Sequence, residues 1–301
     1  MGCAWMEQLV PPQQFQGIKM TVNHTHSEAE LKSEPTILQA ISGEVFGTFI
    51  LVFFGVGSVQ AAVATGAQSG LWQVAVVWAI GISLAIYATA AYSGAHINPA
   101  ITLVAIVYDK MSISLGIVYI LSQFVGAIIA ALVLYGMFAE AIIEFEREHG
   151  LLRGGPGSEL SGMMFGEYFP NPAVFGTDET AWRVVSKSRA FFAEMVGTAV
   201  LAFMVGTLTN EKNMARPPAA FTAVIIGLTV AAIISIVAPL TQAGLNPARD
   251  FGPRLVSYFL GWGEIAIPGP RSGWWSVYIV APCVGALLGG GLQRMLVRIA
   301  T

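Results

Sequence analysis

The sequence predicts an all-α membrane protein with six transmembrane helices and two re-entrant half-helices, arranged as an inverted repeat. Its composition, its six apolar stretches of membrane length and the similarity of its two halves lead to this fold class. Of the 301 residues, 55% are hydrophobic and only 11% are charged, whereas a soluble domain usually has about 25% charged residues. The chain has too few polar side chains to cover a soluble surface, so most of its surface is expected to face lipid.

Each predicted membrane helix is an apolar stretch of suitable length. The hydrocarbon core of a bilayer is about 30 Å thick and requires about 20 apolar residues per helix. Six stretches meet this requirement: 38–63, 71–92, 113–138, 190–209, 218–240 and 274–296. Two further apolar stretches, 97–108 and 245–260, are too short to cross. We therefore expect a polar N-terminal tail over residues 1–36 and one membrane domain over residues 37–301.

The membrane domain consists of two similar halves. Glu44 lies in the sequence GEVFGT and Glu194 in AEMVGT, while HINPA at 96–100 recurs as GLNPA at 244–248. We expect the first repeat at about 37–138, the second at about 188–298, and a connecting loop at 139–187. Each repeat has three spans, so the second must enter the membrane from the opposite face. Such inverted repeats place their sites near the bilayer midplane.

Asn98-Pro99 and Asn246-Pro247 predict where the two short helices begin. Asparagine is a favoured N-cap, and proline is favoured at the first helical position. About ten residues at 1.5 Å each span about half the membrane. The two N-termini would then meet head to head, with their positive dipole ends and the asparagine amides facing the pathway. A third copy, Asn171-Pro172-Ala173, lies in the polar connecting loop, where Asn-Pro is an ordinary turn initiator. We expect no half-helix there.

The segments SGAHINPA at 93–100 and GLNPARDFGP at 244–253, together with the two repeated glutamates, resemble the aquaporin (major intrinsic protein) family. The resemblance covers about residues 36–296. It implies six tilted transmembrane helices plus two re-entrant half-helices in a right-handed bundle. It also implies one passive pore in each subunit of a homotetramer in a lipid bilayer. The implied pore motifs are Asn98, Pro99, Ala100, Asn246, Pro247 and Ala248.

The resemblance also implies a selectivity filter, formed by Trp78, Ile234, Ala243 and Arg249. Arg249 is unusual by itself, because a cation in the first turn of a helix opposes the helix dipole and is costly at membrane depth. The residues alone leave two readings open, a pore-lining arginine or an ion pair with Asp250 or a loop carbonyl. The resemblance favours the pore-lining role.

The filter residues do not match either main branch of the family. Trp78 resembles the glycerol facilitators, but water-selective members have histidine at the position of Ile234. Bacterial glycerol facilitators have a second aromatic residue at the position of Ala243. The set of four is closest to the nodulin-like channels of plants, whereas Asp250 after the arginine resembles the glycerol branch.

These filter residues predict a passive channel for glycerol and other small uncharged solutes, with some water permeation. Trp78 and Ile234 offer apolar walls, and Arg249 offers hydrogen-bond donors. Protons are expected to be excluded by the two converging dipole ends and the arginine. A predominantly water-selective pore, or a channel for neutral metalloid acids, urea or ammonia, remains an alternative. An ion-coupled secondary transporter and a structural membrane protein with a closed pore are alternatives from different functional classes.

Three further residues have two readings each. His96 could line the cytoplasmic vestibule or gate with pH, but a hydrogen bond that fixes the loop is the favoured interpretation. Glu44 and Glu194 could relay protons, because carboxylates within membranes often do. Their symmetric positions favour loop anchoring, in which each accepts backbone N–H bonds from a re-entrant loop.

Several classes of function are not expected. We find no nucleophile–base set, phosphate loop or metal cluster, so we predict no enzyme activity, no metal site and no cofactor. Cys3 and Cys283 have no ligand or disulfide spacing. No basic stripe indicates nucleic acid. Basic residues in the loop with Lys212 and Arg216, and near the C-terminus, favour cytoplasmic termini. We expect the protein in the plasma membrane rather than in an internal membrane.

Overall fold

The structure is a computed structural model that describes residues 35–300, and every regular element in that range is helical. The predicted tail over residues 1–36, with Cys3, lies almost wholly outside the described residues. The α-helices are α1 (Ile37–Thr65), α2 (Leu71–Ser93), α3 (Pro99–Tyr108), α4 (Ile113–Glu148), α5 (Glu159–Gly162), α6 (Pro172–Phe175), α7 (Glu179–Val184), α8 (Lys187–Thr209), α9 (Ala219–Thr241), α10 (Pro247–Ser257) and α11 (Ala281–Ala300). A π-helical turn, Ser276–Val280, leads directly into α11.

Six helices within residues 35–300 are long and apolar enough to cross a membrane. These are α1, α2, α4, α8, α9 and the continuous helix Ser276–Ile299 that contains α11. Helices α3 and α10, at 10 and 11 residues, reach only about halfway across a bilayer. The predicted fold class is confirmed.

Helix α4 is longer than the sequence predicts. The apolar window ends at residue 138, but the helix continues to Glu148, so the predicted connecting loop at 139–187 begins with ten helical residues. This extension is amphipathic, with Ile142 and Phe145 buried and charged residues between them. An ion pair between Glu144 and Arg147 on successive turns supports it. Hydropathy detects only the part of a helix that lies in lipid, which is why the end was misplaced. The segment between α4 and α8, residues 149–186, is called the connecting segment below.

Small residues let the helices of each repeat approach closely. Helix α1 packs against α2 and α4, α8 packs against α9 and α11, and α2 packs against α9 between the repeats. A Cβ atom added at Gly126 would overlap the carbonyl oxygen of Val45, and one at Gly285 would overlap that of Met195. These two glycines occupy matching positions in the repeats, so both halves use the same close helix crossing.

Candidate functional site

The two short helices meet at their N-termini. The side-chain amide of Asn98 donates to the carbonyl oxygen of Leu245 over 3.0 Å, and that of Asn246 donates to the carbonyl oxygen of Ile97 over 2.8 Å. Each asparagine therefore binds the residue that precedes the other asparagine. This reciprocal pair of hydrogen bonds joins the two repeats at the centre of the molecule.

Each asparagine also caps its own helix. The Asn98 side-chain oxygen accepts from Ala100 N at 2.9 Å. The Asn246 oxygen accepts from the backbone N–H groups of Ala248 at 3.0 Å and Arg249 at 3.2 Å. In both helices a proline occupies the first turn, where no N–H is needed. The positive dipole ends of α3 and α10 consequently point toward one another.

The backbone turns that precede the two asparagines are strained. Ala95 and Ile97 have φ values of 53° and 46°, and their counterparts Ala243 and Leu245 have φ values of 61° and 54°. Such left-handed conformations are costly for residues other than glycine, most of all for a β-branched residue such as isoleucine. The strain is repeated in both halves, and in each it presents a carbonyl oxygen to the opposite asparagine.

Glu44 and Glu194 hold these strained turns in place. Each carboxylate is fully buried and accepts two backbone N–H bonds and one hydroxyl bond. The hydroxyl donors are Ser93 and Thr241, both at 2.6 Å. The backbone donors, at 2.7 to 3.0 Å, are His96, Ile97, Gly244 and Leu245. Glu44 accepts one further bond, from Gln123 Nε2 at 2.6 Å. The three bonds that the two repeats share match the loop-anchoring interpretation of both glutamates.

One cavity of about 970 Å³ passes the junction of the two short helices. It brings together the two pore asparagines and the four predicted filter residues, which are far apart in the sequence. The other predicted motif residues do not line it: Pro99, Ala100, Pro247 and Ala248. The predicted residues that line it are Trp78, His96, Asn98, Ile234, Ala243, Asn246 and Arg249. Glu44 and Glu194 lie behind the wall of this cavity.

Trp78 and Arg249 are in contact at one end of the cavity. The guanidinium carbon of Arg249 lies 4.5 Å from the centre of the indole ring, a cation–π contact. The six-membered part of the indole lies against Gly55, where any Cβ would overlap the ring. Gly55 therefore positions the tryptophan, although the sequence alone does not indicate this role.

The charge partner of Arg249 is Glu167, from the connecting segment. The alternative of an ion pair with Asp250 is wrong, because Asp250 instead pairs with Arg254, at 2.8 Å. That pair also holds the backbone of Glu167. The Asp250 carboxylate accepts from Glu167 N at 2.7 Å, and the Arg254 guanidinium donates to the Glu167 carbonyl oxygen. The sequence analysis missed Glu167, since nothing in a long loop of mixed charge distinguishes one glutamate from the others.

Burial governs the protonation of Glu167, which lies outside the membrane-spanning helices. Desolvation raises the pKa of this carboxyl well above its usual range, while the adjacent Arg249 opposes the rise. The charged form of Glu167 therefore depends on the arginine, just as the buried arginine depends on an anion.

His96 combines the two predicted features. Its ring lines the cavity, and Nδ1 lies 3.2 Å from the hydroxyl oxygen of Thr102. The ring also packs on Tyr119 with 4.9 Å between the ring centres. The hydrogen bond and the ring contact fix the position of the imidazole.

Asn171 is more than a turn residue. It caps the single-turn helix α6, with its side-chain oxygen accepting from Ala173 N at 3.0 Å. Its amide donates to the carbonyl oxygen of Ala238 at 2.8 Å. A short helix therefore does begin at the third Asn-Pro-Ala copy, but this residue fastens the connecting segment to α9 and does not line the cavity.

Comparison with known proteins gives a consistent picture. The family model described as "Major intrinsic protein" matches residues 30–292. The chain is 38% identical to the glycerol uptake facilitator protein of Pseudomonas aeruginosa over 264 residues, which cover 87% of this chain and 90% of that protein. It is 36% identical to the propanediol uptake facilitator PduF of Salmonella typhimurium over 252 residues, which cover 83% and 90% of the two chains.

A solved structure has the same fold. The X-ray structure of the aquaglyceroporin from Plasmodium falciparum superposes with a TM-score of 0.74, covering 88% of this chain and 98% of that chain at 22% identity.

Proposed function

Because the chain belongs to the major intrinsic protein family, as its motifs indicate, we propose that it is a passive channel for glycerol and similar small uncharged solutes. Water is expected to pass as well, and the chain is not an enzyme. The observation that carries the proposal is the single cavity, which passes both the joined asparagines and the Trp78–Arg249 contact. Relatives at 36–38% identity are facilitators of glycerol and of propanediol, which supports a small polyol as the solute.

The filter residues suit a solute with one apolar and one polar edge. Trp78 and Ile234 present buried apolar surface to the cavity. Arg249, held between Trp78 and Glu167, offers guanidinium N–H donors to hydroxyl groups. Each pore asparagine uses one amide N–H on the opposite loop and retains a second for a passing hydroxyl. Along the path, a polyol can thus replace its hydrogen bonds to water with hydrogen bonds to the protein.

We expect electrostatic repulsion from fixed positive groups to exclude protons. A chain of water molecules would have to cross two positive helix ends that face each other, and then a fixed arginine. A water-selective pore and a channel for metalloid acids, urea or ammonia would have the same fold and differ from a polyol channel in filter chemistry. Since Ile234 stands where water-selective relatives have histidine, we favour the polyol.

Membership of the family supports a proposal for the assembly and the placement of the chain. We propose a homotetramer in the plasma membrane, each subunit with its own pore and with both termini in the cytoplasm. The basic loop with Lys212 and Arg216 and the basic end of α11 support this orientation.

Stopped-flow light scattering of proteoliposomes tests the proposal. Vesicles with the protein should reswell in glycerol much faster than protein-free vesicles, and parallel runs in urea, boric acid and pure water stress rank the solutes. Glycerol flux should be indifferent to proton and sodium gradients. Reswelling equal to that of lipid alone would indicate a closed structural protein, whereas accumulation driven by an ion gradient would indicate a transporter.

Trp78→Ala is expected to lower the ratio of glycerol to water permeability by about tenfold, the scale on which the fit of a pocket wall discriminates between ligands. The indole forms the apolar wall beside Arg249. Without it, water molecules in the filter can keep their hydrogen bonds to other water molecules. Permeabilities are measured per reconstituted protein, so that lower expression is not mistaken for lower flux.

Asn171→Ala is the matched control, because it alters an Asn-Pro-Ala copy that does not line the cavity. The ratio of glycerol to water permeability of this variant should equal that of the wild type. A shift as large as that of Trp78→Ala would show that this third copy takes part in the choice of solute.

A further inference from the structure

Gln242 occupies a backbone position that favours glycine. It ends α9 with φ of 65° and ψ of −2°, in the left-handed region. The corresponding residue of the first repeat is Gly94, which ends α2 with φ of 78°. Both residues stand four positions before a pore asparagine. Glycine adopts this conformation without strain, whereas glutamine does not. The second repeat therefore carries a strained residue whose side chain needs an explanation.

The side-chain amide of Gln242 binds the connecting segment through both its oxygen and its nitrogen. The oxygen accepts from Tyr168 N at 2.8 Å, and the nitrogen donates to the carbonyl oxygen of Met163 at 3.2 Å. Gln242 is only 9% exposed and lies on the cavity wall beside Ala243. A strained residue thus connects the filter loop to a segment more than 70 positions earlier in the chain.

The residue before Tyr168 is Glu167, the partner of Arg249. The backbone N–H and carbonyl of Glu167 are held by Asp250 and Arg254. Gln242, in the loop that precedes α10, fixes the next backbone N–H group, that of Tyr168. Three side chains of the second repeat therefore fix this short stretch of the connecting segment.

We propose that Gln242 is a positioning residue of the selectivity filter, which holds the connecting segment so that Glu167 keeps Arg249 in place over the pore. The inference rests on the proposed channel function and extends it.

The first variant is Gln242→Gly, which copies the residue of the first repeat and suits the left-handed backbone. A loosened Arg249 should affect glycerol more than water, since glycerol needs several aligned partners at once. We expect the ratio of glycerol to water permeability to fall about three- to tenfold, the scale of one or two net hydrogen bonds. Gln242→Leu, which keeps the size but removes both bonds, should shift the ratio in the same direction.

Gln60→Leu is the matched control. Gln60 is buried and donates to the carbonyl oxygen of Met164, one residue from the Gln242 contact, but does not line the cavity. If Gln242 merely fastened the connecting segment, both substitutions would lower protein stability and neither would move the ratio. We expect only the Gln242 variants to move it.

A double variant tests the route through Glu167. In a Glu167→Gln background the ion pair with Arg249 is already lost, so adding Gln242→Gly should change the ratio no further. Additive shifts, or an unchanged ratio in both single Gln242 variants, would overturn the inference. A wild-type protein that conducts nothing would instead refute the proposed function, so the two failures are distinguishable.

Discussion

Arg249→Leu is expected to lower the free energy of unfolding by about 3–5 kcal/mol, because it leaves the buried carboxylate of Glu167 without its cation. Glu167 is only 1% exposed, so its carboxylate has little solvation of its own. The substitution also removes the cation–π contact with Trp78. Thermal unfolding in detergent, followed by tryptophan fluorescence, measures the change. Adding Glu167→Gln should recover most of the lost stability, since both charges are then absent.

The stability of Arg249→Leu should also depend on pH in a defined direction. Burial already raises the pKa of Glu167, and removing the arginine removes the group that opposes this rise. The folded state then binds a proton over a pH range in which the unfolded chain, with a carboxyl pKa of about 4.3, has released it. Stability therefore falls as the pH rises from about 4.3 through the raised pKa.

The double variant Arg249→Leu with Glu167→Gln should show no such slope in that range. An equal slope in both proteins would show that another group is responsible, and that Glu167 is not the anion that the arginine compensates.

Glu194→Ala is expected to have the second large effect. The substitution leaves the buried N–H groups of Gly244 and Leu245 without acceptors, and each orphaned donor costs about 1–3 kcal/mol. The strained φ angles of Ala243 and Leu245 then lose the contacts that stabilise them. We expect poor folding, and little or no glycerol flux from any protein that folds.

Glu44→Ala is the matched test in the first repeat, where the backbone N–H groups of His96 and Ile97 donate the corresponding bonds and Gln123 donates a further one. It should have a similar effect. A Glu194→Gln variant retains one acceptor oxygen and should fall between the wild type and Glu194→Ala. A protein with alanine at either position that kept normal stability but lost proton movement would instead favour the proton-relay interpretation.

The parts of this fold that could be predicted from the sequence depend on local chemistry. Apolar length identifies a membrane span, and Asn-Pro identifies the start of α3 and of α10, because capping acts within a few residues. The similarity of the two halves then predicts that the two half-helices form a matched pair. The end of α4 at Glu148 was missed since its last turns are amphipathic, and Asn171 was underestimated because its contact with Ala238 is distant in the sequence.

The filter was harder to predict than the fold. Arg249 could be recognised as unusual, but its partner could not, because Glu167 reaches it through the fold of the connecting segment. Gln242 can be noticed in the sequence, because aligning the repeats shows glutamine where the first repeat has Gly94. Only its contacts with Met163 and Tyr168 show what the side chain does.

Blocking the cavity from within is the most direct test that solutes pass along it. With Cys3 and the half-buried Cys283 changed to serine, cysteine is introduced either at Ala243, on the cavity wall, or at Ile236, which is 76% exposed on the outside of α9. Mercuric ion should reduce the glycerol and water flux of Ala243→Cys to the level of lipid alone, reversibly by thiol, and leave Ile236→Cys unaffected. Undiminished flux through fully labelled Ala243→Cys would contradict the account, because solutes would then have to cross elsewhere.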